Sequence, residues 1–228
     1  MPPHFHVRRQ KAQMNPRLSK WLRWLDIIKL EIQDLVVSKY TFHEIQKMIL
    51  ENAKLQVDNS FYRYVSSTYV SHALIGLRRQ VKKDSQSISL ALLLQELVDT
   101  PEVLSRTYYV ALYEGSTIED RADKDFDRFA VPGAAHIDPT LVERDLQRLR
   151  DVTTKCEKFA DKRIAHRDKH ELKFLPTYNE VDDCIDLLNE LYVTYLSMFE
   201  AKAMDTLLPT RQYDWKEIFR TPWIPAAD

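Results

Sequence analysis

Residues 163–170 read RIAHRDKH: two arginines, two histidines, a lysine and an aspartate in eight positions. Histidine is the side chain that exchanges a proton near neutral pH, and arginine grips phosphoryl oxygens through a planar fork of donors. Together those two types can move a proton and hold a phosphoryl group. The histidine moves the proton and the arginine stabilises the charge that builds on the phosphoryl oxygens. Arg163 and His166 share one helical face, a turn apart. His166 and His170 have the i, i+4 spacing of zinc-binding helices, but Arg167 stands between them where such motifs carry glutamate, and it would repel a divalent ion. The expectation is no metal and no cofactor.

The element that must position these residues is a helix predicted over 139–172, opened by Asp138-Pro139. Leu149, Val152, Cys156 and Phe159 recur at helical spacing, and the same rule continues through Arg163, His166 and His170. Charge on a core-facing stripe is costly unless paired, so the change marks a polar cavity, an interface or a site. The competing reading is a helix end that overhangs its partner, where the dipole favours cations. If the following turn centres on Leu175, Arg163 lies level with Leu188 and His166 with Cys184–Ile185, inside an antiparallel pair, while overhang suits His170. That register also sets Cys156 roughly 15 Å from Cys184 along the axis, too far for a disulfide. Asp168 points off the stripe and is assigned no chemistry.

The rest of the chain reads as helices. Leu18, Leu22, Leu25, Ile28, Ile32 and Leu35 make one face of a helix starting near Pro16, widened by Trp21 and Trp24. Thr41 with Glu44 has capping-box form and predicts a second helix to about 55. A third runs over 58–83, a short apolar one over 89–99, and Thr100-Pro101-Glu102 predicts the start of a fifth, to about 113. Residues 114–138 are a long loop with one helical turn. Thr177 and Glu180 form another capping box, opening a last helix to about 203 on Val181, Ile185, Leu188, Tyr192, Tyr195 and Phe199. Residues 1–16 form a loose arm, 17–203 one helical domain, and 204–228 an aromatic tail packed on the body.

Arg78, Arg79, Lys82 and Lys83, followed by Asp84, Ser85 and Ser87, are a second constellation. They make either a phosphate-gripping patch or a cation-favouring helix end followed by capping residues. The capping rules favour structure, with Arg79 the exception. Tyr62, Tyr64 and Tyr69 read as core or interface aromatics rather than base-stacking platforms.

Bulk composition bounds these readings. Lys+Arg 33 against Asp+Glu 34 leaves no general basic excess, so any nucleic-acid contact must be a local patch. Only 3 glycines in 228 residues argue against hairpins and exclude a glycine-rich phosphate loop. The 2 cysteines form no disulfide framework, and a reducing compartment is the default. No apolar run suggests a signal peptide or a membrane span, so the expectation is a cytoplasmic protein without membrane contact.

On these residues the chain resembles the HEPN superfamily over about residues 20–200. The carriers are DKRIAHRD at 161–168, LPTYNEVDDCIDLLNELY at 175–192 and, for the abortive-infection (AbiU-type) branch, LIGLRRQVKKDSQSISLALLLQEL at 74–97. The resemblance implies an all-α antiparallel bundle, usually a homodimer, often a metal-independent ribonuclease of antiphage defence or toxin–antitoxin systems. RNA and a cognate antitoxin or defence protein are the implied partners. The family motif is an arginine, four to six residues, then histidine. Counted back from His166, its arginine positions hold Phe159, Ala160 and Asp161, whereas Arg163 with His170 has six residues between. The tyrosine that some toxin members carry two residues after the histidine is replaced by Asp168 or Leu172. Site expectations are therefore His166, Arg163 and His170 for catalysis and Arg79, Arg78 and Arg167 for RNA phosphates. The alternative is a non-catalytic HEPN module that binds or regulates.

Overall fold

The structure, a computed structural model, describes residues 15–165 and 175–223. Among these every regular element is helical, and the one β contact is an isolated bridge between Ser105 and His136. The protein is all-α, as its periodicity predicts.

Helix α1 is Pro16–Glu51, 36 residues without a break. Asn15 caps it through the Arg17 amide, and proline takes the first turn, where its missing N–H costs nothing. Its buried face is Leu18, Trp21, Leu25, Ile28, Ile32, Leu35 and Phe42. The expected restart at Thr41 does not occur. Thr41 and Glu44 lie on a helix surface that meets the C-terminal segment: Arg211 donates to the Thr41 hydroxyl at 3.0 Å, and Lys216 pairs with Glu44. Two polar side chains three apart serve as a capping box or as neighbours on one helix face, and here distant chain supplies their partners.

Helix α2, Ser60–Val81, is capped by Asn59, and α3, Leu90–Asp99, by Ser89. The next helix starts later than its sequence suggests. Thr100 turns its hydroxyl back to the Glu96 carbonyl at 2.8 Å, closing α3 instead of opening a helix. Pro101–Val103 is a single 3-10 turn, and α4, Arg106–Ala111, begins after its own cap, Ser105. The 114–138 stretch contains the 3-10 turn Glu119–Arg121 and the short α5, Ala122–Phe126. It is packed: Ala122, Phe126, Phe129, Ala130 and Ile137 are buried. Arg106 stitches it down, donating to the Ala134 and Asp123 carbonyls and the Asp127 carboxylate and covering the Phe126 ring.

Helix α6, Pro139–Phe159, is capped by Asp138 and runs into a π-helical turn, Ala160–Ala165. It is shorter than α1, not the longest helix, and its predicted course to 172 lies outside the described residues beyond 165. Helix α7, Tyr178–Glu200, opens on the expected Thr177–Glu180 capping box.

Helices α1, α2, α6 and α7 form an up-down-up-down bundle. Gln80 reaches Glu31, Lys82 reaches Glu157, Arg148 reaches Glu190, and Asp186 closes the ring onto Lys39. Helix α3 lies against α6 and is tied to α1 by Glu96, which accepts from Lys20 and from the Trp21 indole at 2.5 Å. The last segment crosses α1: Leu207 is buried, Gln33 donates to its carbonyl, and Arg211 lies over the Tyr40 and Trp215 rings. No helix among the described residues is long and apolar enough to cross a membrane.

Where α1 and α2 cross, a β-carbon on Gly76 would stand 2.6 Å from Leu35 Cδ2, inside van der Waals contact. Leu35 is 1% exposed and has nowhere to move. Gly76→Val is therefore expected to cost about 1–3 kcal/mol through overpacking, despite valine's better helix propensity. Urea unfolding measures it, and an unchanged midpoint would show that the two helices do not meet there.

Candidate functional site

The α6–α7 seam sets the place of Arg163. Lys155 meets Glu180 at 2.5 Å, and Tyr195 donates to Asp145 at 3.0 Å. Helix α7 begins only two residues before Glu180, at Tyr178, so the partner helix runs out level with the π turn. Arg163 stands beyond it and is exposed. The expected position inside the pair, level with Leu188, is thus corrected: the register is offset by nearly three turns. The buried stripe also differs from the sequence reading, running Val142, Leu146, Leu149, Thr153, Cys156 and Ala160. Thr153 is buried because its hydroxyl donates to the Leu149 carbonyl at 2.7 Å, while Val152 is 39% exposed. The same register sets Cys156 opposite Cys184, not roughly 15 Å along the axis: the Cys156 sulfur lies 3.8 Å from the Glu180 carbonyl and the Cys184 sulfur 3.5 Å from the Val152 carbonyl. His166, Arg167 and His170 lie outside the described residues.

The fold joins the two sequence constellations. The cationic end of α2 packs on the end of α6: Arg78 pairs with Asp161, and Lys82 reaches Glu157 at 2.8 Å and Asp161 at 3.0 Å. All four groups are partly exposed. Burial raises the Asp161 pKa, but hydrogen bonds from Arg78 and Lys82 outweigh it and hold the carboxyl below its usual range. Lys82 is held high by Glu157 and Asp161. Arg78 and Lys82 are thus engaged as interhelical clamps. Lys83 donates to Gln95, and its pKa is lowered by burial and by nearby Arg150.

Arg79 differs. It is exposed, and its guanidinium pairs with no acidic group among the described residues. It stands at one end of a groove of about 500 Å³ along α2, lined by Tyr64, Ser67, Thr68, Ser71 and His72. Hydroxyls, an imidazole and one uncommitted cation make this surface capable of binding a phosphate chain. Tyr64 is 65% exposed at its far end, not a core residue, whereas Tyr69 is buried.

One polar centre escaped the sequence reading. Asp182 is 8% exposed, yet its carboxylate accepts from the Tyr69 hydroxyl at 2.5 Å and meets His43 Nε2 at 2.6 Å, tying α7 to α2 and α1. Burial, then the Asp182 bond, drives the Tyr69 pKa far upward. The signal was present: Asp182 lies on the apolar face of α7, between Tyr178 and Ile185. Half-exposed His43 is oriented by a carboxylate as an acid–base histidine is.

Among the described residues no group of three histidine, cysteine or acidic side chains is placed to hold a metal ion. Compared with family models, curated proteins and solved structures, the chain matches none.

Asp161→Asn is expected to cost about 0.5–1 kcal/mol, the scale of a partly exposed ion-pair network. The depressed folded pKa means that this contribution is present above the unfolded value of about 4 and is lost as pH falls through the folded value. Chemical denaturation of wild type and variant should therefore differ at pH 6 and converge once the pH falls below the folded value. A gap that persists in acid would assign the loss to packing instead.

Proposed function

We propose that this protein is a HEPN-type effector of antiphage defence or a toxin–antitoxin system that acts on RNA as a metal-independent ribonuclease. The supporting observation is the junction of α2 with the end of α6. Residues eighty positions apart in sequence meet there, and Arg79 and Arg163, both exposed, flank a clamp whose other cations are neutralised. In this reading the two exposed arginines hold phosphates, and His166 or His170 moves the proton of the attacking 2′-hydroxyl. A homodimer would bring two such ends together.

A second reading has its own observation. Asp161 stands at one of the positions where the resembled motif has arginine counted from His166, and its carboxylate consumes two cations. That pattern suits a module that binds RNA or a cognate protein without cleaving.

Labelled RNA in EDTA separates the two. Wild type should cleave, and removing the acting histidine should lower the rate on the order of 10²–10⁴-fold. Arg163→Ala and Arg79→Ala should weaken binding and flatten its salt dependence. Loss with His170→Ala alone would identify the Arg163–His170 frame as the working one. Loss with His166→Ala alone would identify the Arg163–His166 pair. Binding without cleavage would establish the second reading. Light scattering at micromolar concentration should give twice the chain mass, and a monomer would remove the dimer from the proposal.

A further inference from the structure

The α6–α7 seam contains a pair of thiols that neither the bundle nor the RNA reading requires. Cys156 and Cys184 are both free and essentially inaccessible, at 1% and 0% exposure. They are placed reciprocally. The Cys156 sulfur lies 3.8 Å from the Glu180 carbonyl, and the Cys184 sulfur lies 3.5 Å from the Val152 carbonyl. Each sulfur thus reaches the carbonyl one helical turn before the other cysteine, which confines both to one gap between the two backbones. There the two sulfurs stand on facing turns of the two helices.

A buried cysteine ordinarily acts as a small apolar filler. Two fillers need not face each other across a helix seam with each sulfur at the carbonyl one turn before the other. The surroundings also distinguish the pair chemically. The neighbouring Cys184, and then Lys155, draw the Cys156 pKa down, whereas Cys156 and burial push the Cys184 thiol up. A dithiol of one attacking and one resolving sulfur is the arrangement that peroxide oxidation uses.

We propose that Cys156 and Cys184 form a redox-modification site at which hydrogen peroxide closes an intramolecular disulfide, bolting α6 to the first turns of α7. The Cys156 thiolate attacks one peroxide oxygen, breaking the O–O bond and releasing hydroxide, which takes up a proton to become water. The Cys184 thiol then attacks the Cys156 sulfenic sulfur, the S–S bond forms, and a second water leaves. Two thiols and one peroxide become one disulfide and two waters. Both sulfurs are covered, so the reaction proceeds through local opening of the helix ends and is slower than at an exposed thiol. The closed loop spans 157–183 and includes Asp161, Arg163 and both histidines of the proposed site. Oxidation would restrain that whole connection from a bond inside the core, where both cysteines are buried. The inference stands on the seam and does not depend on RNA cleavage.

The test uses the full chain, reduced, freed of reductant, treated with hydrogen peroxide, then denatured and alkylated. The expected result is a mass lower by two hydrogens, no alkylation, and a non-reducing digest in which the peptide holding Cys156 is joined to the one holding Cys184. The melting temperature should rise by about 5–10 °C, as cross-linking a loop of this length constrains the unfolded chain, and dithiothreitol should reverse it. Cys156→Ser and Cys184→Ser, each shown by circular dichroism to be folded, should give neither the mass loss nor the rise. Two alkylatable thiols after treatment, disulfides only between chains, or oxygen adducts without the cross-linked peptide would each overturn the proposal.

Discussion

The antiparallel pairing of α6 with α7 is the constraint on which the remainder of the molecule depends. Its register rests on a ladder of contacts from Asp145–Tyr195 through Arg148–Glu190 to Lys155–Glu180. Surface ion pairs of this kind are individually weak. They matter here because they agree with the buried stripe beneath them, in which Leu146, Leu149 and Cys156 of α6 and Cys184, Ile185 and Leu188 of α7 are all buried in one core. Once that register is set, three things follow: α7 starts level with the π turn, the thiols face each other, and Arg163 stands beyond the start of α7. The π turn itself widens the helix where the covering neighbour disappears, a place where such turns are tolerated and often used.

Electrostatics then divides the cations into two groups. Arg78 and Lys82 lie on the side of α2 that faces α6 and are held by Asp161 and Glu157. Arg79 is the next residue after Arg78, about 100° further round the helix, and escapes the clamp. Neighbouring residues of one basic run therefore have different roles because helical geometry sends them to different neighbours. Near-neutral net charge is compatible with this: a few unmatched cations on one surface carry local potential that the whole-chain sum conceals.

Much of the fold was legible in the sequence. The stripes of α1 and α7 and the caps Asp138 and Thr177 are periodic or local signals, and the structure uses them as read. Thr41–Glu44 and Thr100–Pro101 misled because a polar side chain that can cap has other partners available once the chain folds, Arg211 in one case and the Glu96 carbonyl in the other. Helix-pair register was illegible for a different reason. It depends on the length and path of the connection, which composition does not encode, and an offset of nearly three turns moved Arg163 from interior to surface and set two cysteines opposite each other. Asp182 was missed because a carboxylate on an apolar face is discounted unless its partners are known, and Tyr69 and His43 come from helices far away in sequence.

The length of α1 and its choice of neighbours have a consequence for synthesis. Its apolar face is covered in large part by α7, whose last residue, Glu200, follows Glu51 by nearly two thirds of the chain. At ribosomal speeds of about 5–20 residues per second, that face waits roughly 10–30 s for its cover. Trp21, Ile28 and Ile32 must spend the interval in transient collapse against α2 or in the grip of a chaperone. The bundle cannot be completed vectorially from its first helix; it closes late and all at once. Its yield in a cell should therefore be governed less by final stability than by how well that early, sticky helix is sheltered while the last one is being made.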